Sequence, residues 1–127
     1  MLNVKKYVRK ILTDSSDITT IVSATKILSA YPSEVVDFPC IIYEEQGQSD
    51  VEFSDNLPNG TRARVRIHIF TKALDGYATT TTIGKLIHSL FRIDYWTCTL
   101  NTEVADTDES VKHRIMDFTH SFYEWEN

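Results

Sequence analysis

The chain has 127 residues, of which 18 are acidic and 13 are basic, giving a formal net charge of −5. With 42% hydrophobic and 24% charged residues it has the composition of a soluble globular protein, and residues 1–127 are predicted to form a single domain with one core. The acidic balance argues against non-specific nucleic-acid binding by the whole surface, and no apolar run is long enough to span a bilayer. The amino-terminal segment lacks the apolar stretch of a secretory signal, so we expect a cytosolic protein with reduced Cys40 and Cys98.

Periodic apolar residues predict four elements in the first part of the chain. Residues 4–12 have apolar side chains at helical spacing, with basic residues on the other faces. Residues 18–22 predict a further short helical turn, and Ile27 with Leu28 predicts a short strand. Pro39 opens the run PCIIYEEQ, whose β-branched and aromatic residues are typical of a strand.

The clearest strand of the sequence is TRARVRIHIF, residues 61–70. Apolar side chains alternate there with Arg62, Arg64, Arg66 and His68, so one face is predicted to be buried and the other basic.

The remaining elements are a second helix and two strands. Residues 83–91 predict an amphipathic helix that follows a turn at Asp75-Gly76. Residues 95–100 predict a strand, the acidic run 103–109 a loop, and residues 111–125 a long strand that is apolar on both sides and therefore central. This order of elements predicts an α+β fold in which two main helices pack on a mostly antiparallel β-sheet.

Residues 47–61 separate two predicted strands and are predicted to be a long loop. A hairpin turn needs only two to five residues, and a loop of this length without structure of its own is usually functional or disordered. We expect it to be mobile in the free subunit and ordered on a partner, to which it could also add as an edge strand. The alternative is a surface loop without a partner. The residues expected to contact the partner are Asp50, Val51, Glu52, Phe53, Asp55 and Leu57.

Arg62, Arg64 and Arg66 form a second candidate interface, because they follow one another about 7 Å apart along one strand face. Two interpretations stay open. The arginines pair locally with Glu44 and Glu45 across a hairpin, or they form a basic stripe that faces another subunit or a nucleic acid.

Motifs for catalysis or metal binding are missing from the sequence. His113 and His120 are separated by seven positions on a predicted strand and so face opposite sides, while His68 lies among arginines. There is no HExxH, CxxC or GxSxG motif, and the acidic run from Asp106 lacks the glycine of a calcium-binding loop. We therefore expect no enzymatic activity, no metal and no cofactor.

The order of segments along the chain carries a resemblance to a known family. A short helical amino terminus is followed by VVDFPCIIYEE, a long variable loop, RARVRIHIF, TTIGKLIHSLF and HRIMDFTHSFYEW. Over nearly the whole chain this layout resembles the tail terminator and tail-completion, or head-to-tail joining, proteins of long-tailed bacteriophages.

The resemblance implies one tail-completion-like domain and a structural protein of the virion, assembled in the host cytoplasm and located at the head–tail interface. Members form a hexameric ring that caps the tail tube and joins the tail to the head connector, while DNA passes through the ring. The implied partners are further copies of the chain, which is a monomer when free, the tail tube protein, the head-completion or connector protein, and phage DNA in transient contact; no membrane is involved.

The charge distribution is compatible with such a ring. A basic first helix and the arginine strand contrast with acidic segments at residues 50–55 and 103–109, and contacts between unlike patches generate closed rings. The alternative is a small intracellular protein- or nucleic-acid-binding module with the same segregation of charge.

Overall fold

In a computed structural model, which describes residues 2–29, 38–54, 57–72, 79–105 and 110–123, the chain forms three α-helices and a five-stranded sheet. The helices are α1 (Val4–Thr13), α2 (Ser16–Ile21) and α3 (Thr80–Ile93), with a 3-10 turn at Ala24–Lys26. The strands are β1 (Ile27–Leu28), β2 (Cys40–Ser54), β3 (Leu57–Lys72), β4 (Thr97–Val104) and β5 (Val111–Tyr123). The predicted α+β fold is confirmed.

The sheet has the strand order β1-β2-β3-β5-β4, in which β1 is parallel to β2 and all other pairs are antiparallel. The last strand, β5, lies between β3 and β4, as its apolar residues on both sides predicted. Among the described helices, none is long and apolar enough to cross a membrane.

The helices cover one face of the sheet because each has a single apolar stripe. α1 is capped by Asn3, whose side chain accepts a hydrogen bond from the Lys6 amide, and it buries Val4, Val8 and Leu12. α3 is capped in the same way by Thr79, whose hydroxyl accepts from the amide of Thr82 at 3.1 Å. That cap explains how a threonine-rich first turn, poor in intrinsic helix propensity, begins a helix here.

The core lies between these helices and the inward side chains of β2, β3 and β5. Phe91 of α3 is fully buried and stacks on Phe118 of β5 with ring centroids 4.5 Å apart, while Trp96 meets Phe91 edge-on at 5.5 Å. On β3 the inward residues are Ala63, Val65, Ile67 and Ile69, all buried as their alternation predicted.

The prediction of a loop over residues 47–61 is wrong, because β2 and β3 form one long hairpin through this region. Asp50 pairs with Thr61 and Val51 with Gly60. Glu45 lies opposite Val65 but Gly47 lies opposite Arg64, so Gln46 is an extra residue, a β-bulge, and Gly47 has a φ of 138° that favours glycine. The bulge shifts the alternation of β2 by one residue, which hides the strand period in the sequence.

The boundaries of β4 also differ from the prediction. The strand begins at Thr97, because Tyr95 and Trp96 complete the end of α3, and it continues to Val104. Glu103 therefore belongs to a strand rather than a loop, and its carboxylate accepts a hydrogen bond from the Thr80 hydroxyl at 2.6 Å. The predicted turn at residues 75–76 and the acidic residues 106–109 lie outside the described residues.

Both cysteines are free thiols, and Cys40 is buried. Burial raises the pKa of the Cys40 thiol from 9.0 to about 11, although nearby Lys26 opposes the shift. The folded state thus holds this proton more tightly than the unfolded chain, so the stability that it contributes is complete below pH 9 and is lost as the pH rises toward 11.

We expect the free energy of unfolding to fall by about 2 kcal/mol more in the wild type than in Cys40→Ala between pH 8 and pH 11. Urea unfolding of both proteins across this range measures the difference. The pKa of Cys98 is also raised by burial, but Cys98 is present in both proteins and its contribution cancels. Parallel pH profiles would contradict the assignment.

Candidate functional site

The sheet face opposite the helices, called here the outer face, carries the residues that alternate with the core. It contains Arg62, Arg64, Arg66 and His68 of β3 together with their neighbours on β2, β5 and β4. The strand register arranges these residues in rows across the sheet, and the rows differ in how their charge is balanced.

The positive charge of Arg66 is neutralised by a carboxylate on the outer face. Its Nε and Nη2 atoms donate to the two carboxylate oxygens of Asp117, directly opposite on β5, at 2.8 and 3.0 Å. Local pairing, one of the two interpretations left open by the sequence, therefore applies to Arg66, but its partner lies on β5. Glu44 is cross-strand from Arg66 but contacts His68 Nε2, and Glu45 is exposed opposite Val65.

His68 and His113 form the next part of the outer face. His68 Nδ1 lies 2.9 Å from His113 Nε2, and both rings stack against Phe70. The sequence predicts that His113 and His120 face opposite sides of the sheet. In the structure His120 does lie on the other side from His113, where its ring stacks on Trp96. The contact between His68 and His113 depends on the register of β3 with β5, which the sequence does not show. In the described ranges, no group of three or more His, Cys, Asp or Glu is placed to hold a metal ion.

Arg62 and Arg64, in contrast, have no acidic cross-strand neighbour among the described residues. Arg64 lies in a row between Gly47 and Thr119, and Arg62 lies between Ser49 and Ser121. Both side chains are exposed, and neither forms an ion pair or hydrogen bond with the described part of the chain. Within the described ranges, these two positive charges are therefore left without a local carboxylate partner.

These two arginines line an open groove of about 820 Å³ that crosses β3, β5 and β4. The other lining residues are hydroxyl residues of β2, β4 and β5, together with Tyr95, Tyr123 and His120, and none of the described lining residues is acidic. We call this surface the arginine groove. Its hydroxyl and guanidinium groups suit an anionic partner, such as carboxylates or phosphates.

Tyr95, which lines the groove, has an unfavourable backbone conformation. It follows the end of α3 with a φ of 65°, and its amide donates to Arg92 O at 3.0 Å while the Trp96 amide donates to Phe91 O at 2.8 Å. This is the helix ending in which glycine is usual, and a left-handed conformation costs another residue about 1–2 kcal/mol. The ring of Tyr95 is nevertheless 85% exposed. The sequence predicts a strand at Tyr95 and no role for its side chain, because Asp-Tyr-Trp lacks the glycine that normally signals this kind of helix end.

The far end of the β2–β3 hairpin extends beyond the rest of the sheet. Gly60 pairs with Tyr123, the last residue of β5, so beyond this point residues 51–54 and 57–59 pair only within the β2–β3 hairpin among the described strands. We call this two-stranded extension the arm. An isolated two-stranded hairpin is only marginally stable in water, and among the described strands the arm has no third strand to support it.

The predicted interface residues thus fall into three groups. Val51, Glu52, Phe53 and Leu57 lie on the arm, and the exposed Asp50 lies at its root. Arg62 and Arg64 lie in the arginine groove, whereas Arg66 is paired with Asp117. Asp55 lies outside the described residues.

Comparison with known proteins identifies a family and solved structures with a similar fold. A family model described as Tail completion protein gp17 matches residues 6–120 of the chain. A solved structure titled "Virion of native gene transfer agent (GTA) particle" contains a chain that is similar with a TM-score of 0.66 and 13% identity, covering 91% of each chain. At this identity the likeness concerns the fold. No curated protein matches the sequence.

Proposed function

Since the chain belongs to the gp17 family of tail completion proteins, we propose that it forms a hexameric ring that caps the tail tube and joins the tail to the head connector. As a member of this family it is a structural protein of the bacteriophage tail and is located in the virion. In the proposed ring, DNA passes through the central channel without being recognised by sequence.

The observation that carries the proposal is the extent of the family match, from α1 to near the end of β5. The geometry supports it, because the subunit has unlike surfaces on different parts of the sheet. The arm and its acidic root extend from β2 and β3, while the arginine groove opens across β5 and β4. Contacts between unlike surfaces repeat head to tail, and they close into a ring when the rotation allows.

Family membership favours this role over the small intracellular binding module that the sequence left open. Absence of catalysis also remains our expectation, since a ring that guides and joins needs complementary surfaces rather than a positioned acid, base or nucleophile. For DNA, a net charge of −5 favours free passage over tight contact.

Particles produced without this protein are expected to show filled heads and tails that fail to join. Electron microscopy of such lysates, before and after addition of the purified protein, tests the proposal. Purified protein incubated with tail tubes is further expected to appear as a ring at one end of each tube, with a native mass of six subunits. Normal joining in its absence, or tubes with bare ends, would overturn the proposed function.

A further inference from the structure

We infer that the arginine groove is the receptor for the acidic β2 edge and arm root of a neighbouring copy of this chain. The inference rests on the proposed ring and names the surfaces that hold it together. The occupant is a second copy, which presents the exposed carboxylates of Glu45 and Asp50 on β2.

The first argument is the balance of charge along the outer face. Arg66 has a bidentate carboxylate partner on the adjacent strand, so the sheet can neutralise an arginine where Asp117 is provided. One row further along, Arg64 faces Thr119 and Gly47, and the next row places Arg62 between Ser121 and Ser49. Hydroxyl groups beside a guanidinium offer further hydrogen bonds to an incoming carboxylate. The groove is thus basic within a protein whose overall charge is negative.

The backbone strain and the exposure of Tyr95 also favour a protein partner for the groove. Tyr95 occupies a position that favours glycine, so its backbone is strained, and it is largely exposed to solvent. A tyrosine at this position therefore does not stabilise its own subunit. Tyrosine is among the residues enriched at the energetic centres of protein interfaces. Tyr95 lines the same groove as two arginines that have no ion pair within the described part of the chain, so it gives that interface an aromatic anchor beside its charges.

The third argument identifies the occupant as another copy. The groove includes Ser49 of β2, but Glu45 and Asp50 pair with Val65 and Thr61 and so lie on the opposite sheet face from Arg62 and Arg64. One subunit therefore carries the two halves of the contact on different faces of its sheet. From Tyr43 onward β2 has no described strand on its other side, and neither has β4. A nucleic acid is a poorer occupant, because two arginines neutralise at most two phosphates, while the net charge of −5 repels the rest of the polyanion.

The charge contact is tested with two complementary variants. Arg62→Glu/Arg64→Glu makes the groove acidic, and Glu45→Arg/Asp50→Arg makes the opposing edge basic. Each variant alone then brings like charges together, and we expect its ring dissociation constant to rise by about 100-fold. An equimolar mixture is expected to recover assembly, because the acidic groove of one variant meets the basic edge of the other in an alternating ring. Lys72→Glu/Lys112→Glu reverses the same number of charges at exposed positions, at the end of β3 and the start of β5 far from the groove, and is the control expected to assemble normally.

The role of Tyr95 is tested with two truncations. Tyr95→Gly removes the ring and the backbone strain, so we expect the melting temperature of the monomer to rise by about 2–4 °C. Tyr95→Ala removes the ring but retains the unfavourable φ, so its melting temperature should not rise. Both are expected to weaken the ring by about 10-fold or more, since the lost contact is the same.

Native mass spectrometry and sedimentation velocity of all variants supply the readout. If the wild type forms rings but the charge mixture stays monomeric, the inference is overturned and the proposed function stands. If the arginine variant still forms rings and instead loses binding to a duplex DNA probe, the groove is a phosphate site and the inference is also overturned. If the wild type forms no ring alone or on tail tubes, the proposed function fails and the inference fails with it.

Discussion

Removal of the arm is expected to give a folded monomer that no longer assembles. The change replaces residues 52–59 with Asn-Gly, which forms a two-residue turn between Val51 and Gly60, a pair already opposite each other in the hairpin. Because the deleted residues of β3 pair only with β2 among the described strands, the sheet between Gly60 and Lys72 keeps its partners. The melting temperature should stay within about 4 °C of the wild type, a change of roughly 1 kcal/mol.

Assembly is expected to respond far more strongly than stability. If the arm contributes to the contact between subunits, its loss removes backbone pairing and apolar anchors together, and we expect no ring at concentrations about 100-fold above those at which the wild type assembles. Native mass spectrometry and head–tail joining in a lysate measure this.

A matched variant separates the arm's backbone from its apolar residues. Phe53→Ser/Leu57→Ser keeps the length of the hairpin but removes the anchors predicted from the sequence. An intermediate defect assigns part of the interface to these two side chains. Rings formed by the shortened protein at wild-type concentration would show that the arm is not an assembly element.

The second large effect is expected in the core, where Phe91→Ala should lower the free energy of unfolding by about 3–5 kcal/mol. Phe91 is fully buried, stacks on Phe118 and receives the edge of Trp96, so truncation leaves a cavity between α3 and the sheet. Urea unfolding followed by circular dichroism measures the loss, and an unchanged dependence on urea would confirm that the native state remains compact.

Phe91→Leu is the control, since it keeps most of the volume and is expected to cost less than about 1.5 kcal/mol. A double-mutant cycle with Phe118→Leu isolates the contact between the two rings, for which we expect a coupling of about 0.5–1.5 kcal/mol. A loss below 1 kcal/mol for Phe91→Ala would mean that the core collapses around the site at little cost, contrary to the packing described here.

Several elements could be predicted from the sequence because their side-chain periods are local. The apolar stripe of α1 and the alternation in β3 follow from which residues must leave water, and each led to the element and burial that the structure shows. The two-sided apolar pattern of β5 led to its central position in the sheet, but only one of its faces is buried and the other contributes to the open groove. The same reasoning gave the α+β class, and the order of these segments pointed to the family.

The long hairpin could not be predicted in the same way. The extra residue at Gln46 changes which face the following side chains of β2 occupy, and two further register shifts follow between Val51 and Ser54. Residues 47–54 therefore show no continuous alternation with residues 40–45. A polar strand with a broken period resembles a loop in sequence, although its backbone pairs with β3 along one edge. Only this pairing with the next strand distinguishes such a strand from a loop.

The arginines of the candidate site show most clearly which features follow from the sequence and which require the tertiary structure. The sequence by itself determined that Arg62, Arg64 and Arg66 share one strand face, because alternation is a local property of the chain. Their different roles depend on the neighbours that the sheet supplies, which are Asp117 for Arg66 and uncharged residues for the other two. Strand register arises from the packing of the whole sheet on its core, so only the tertiary structure decided which arginines are neutralised and which face the groove beside Tyr95.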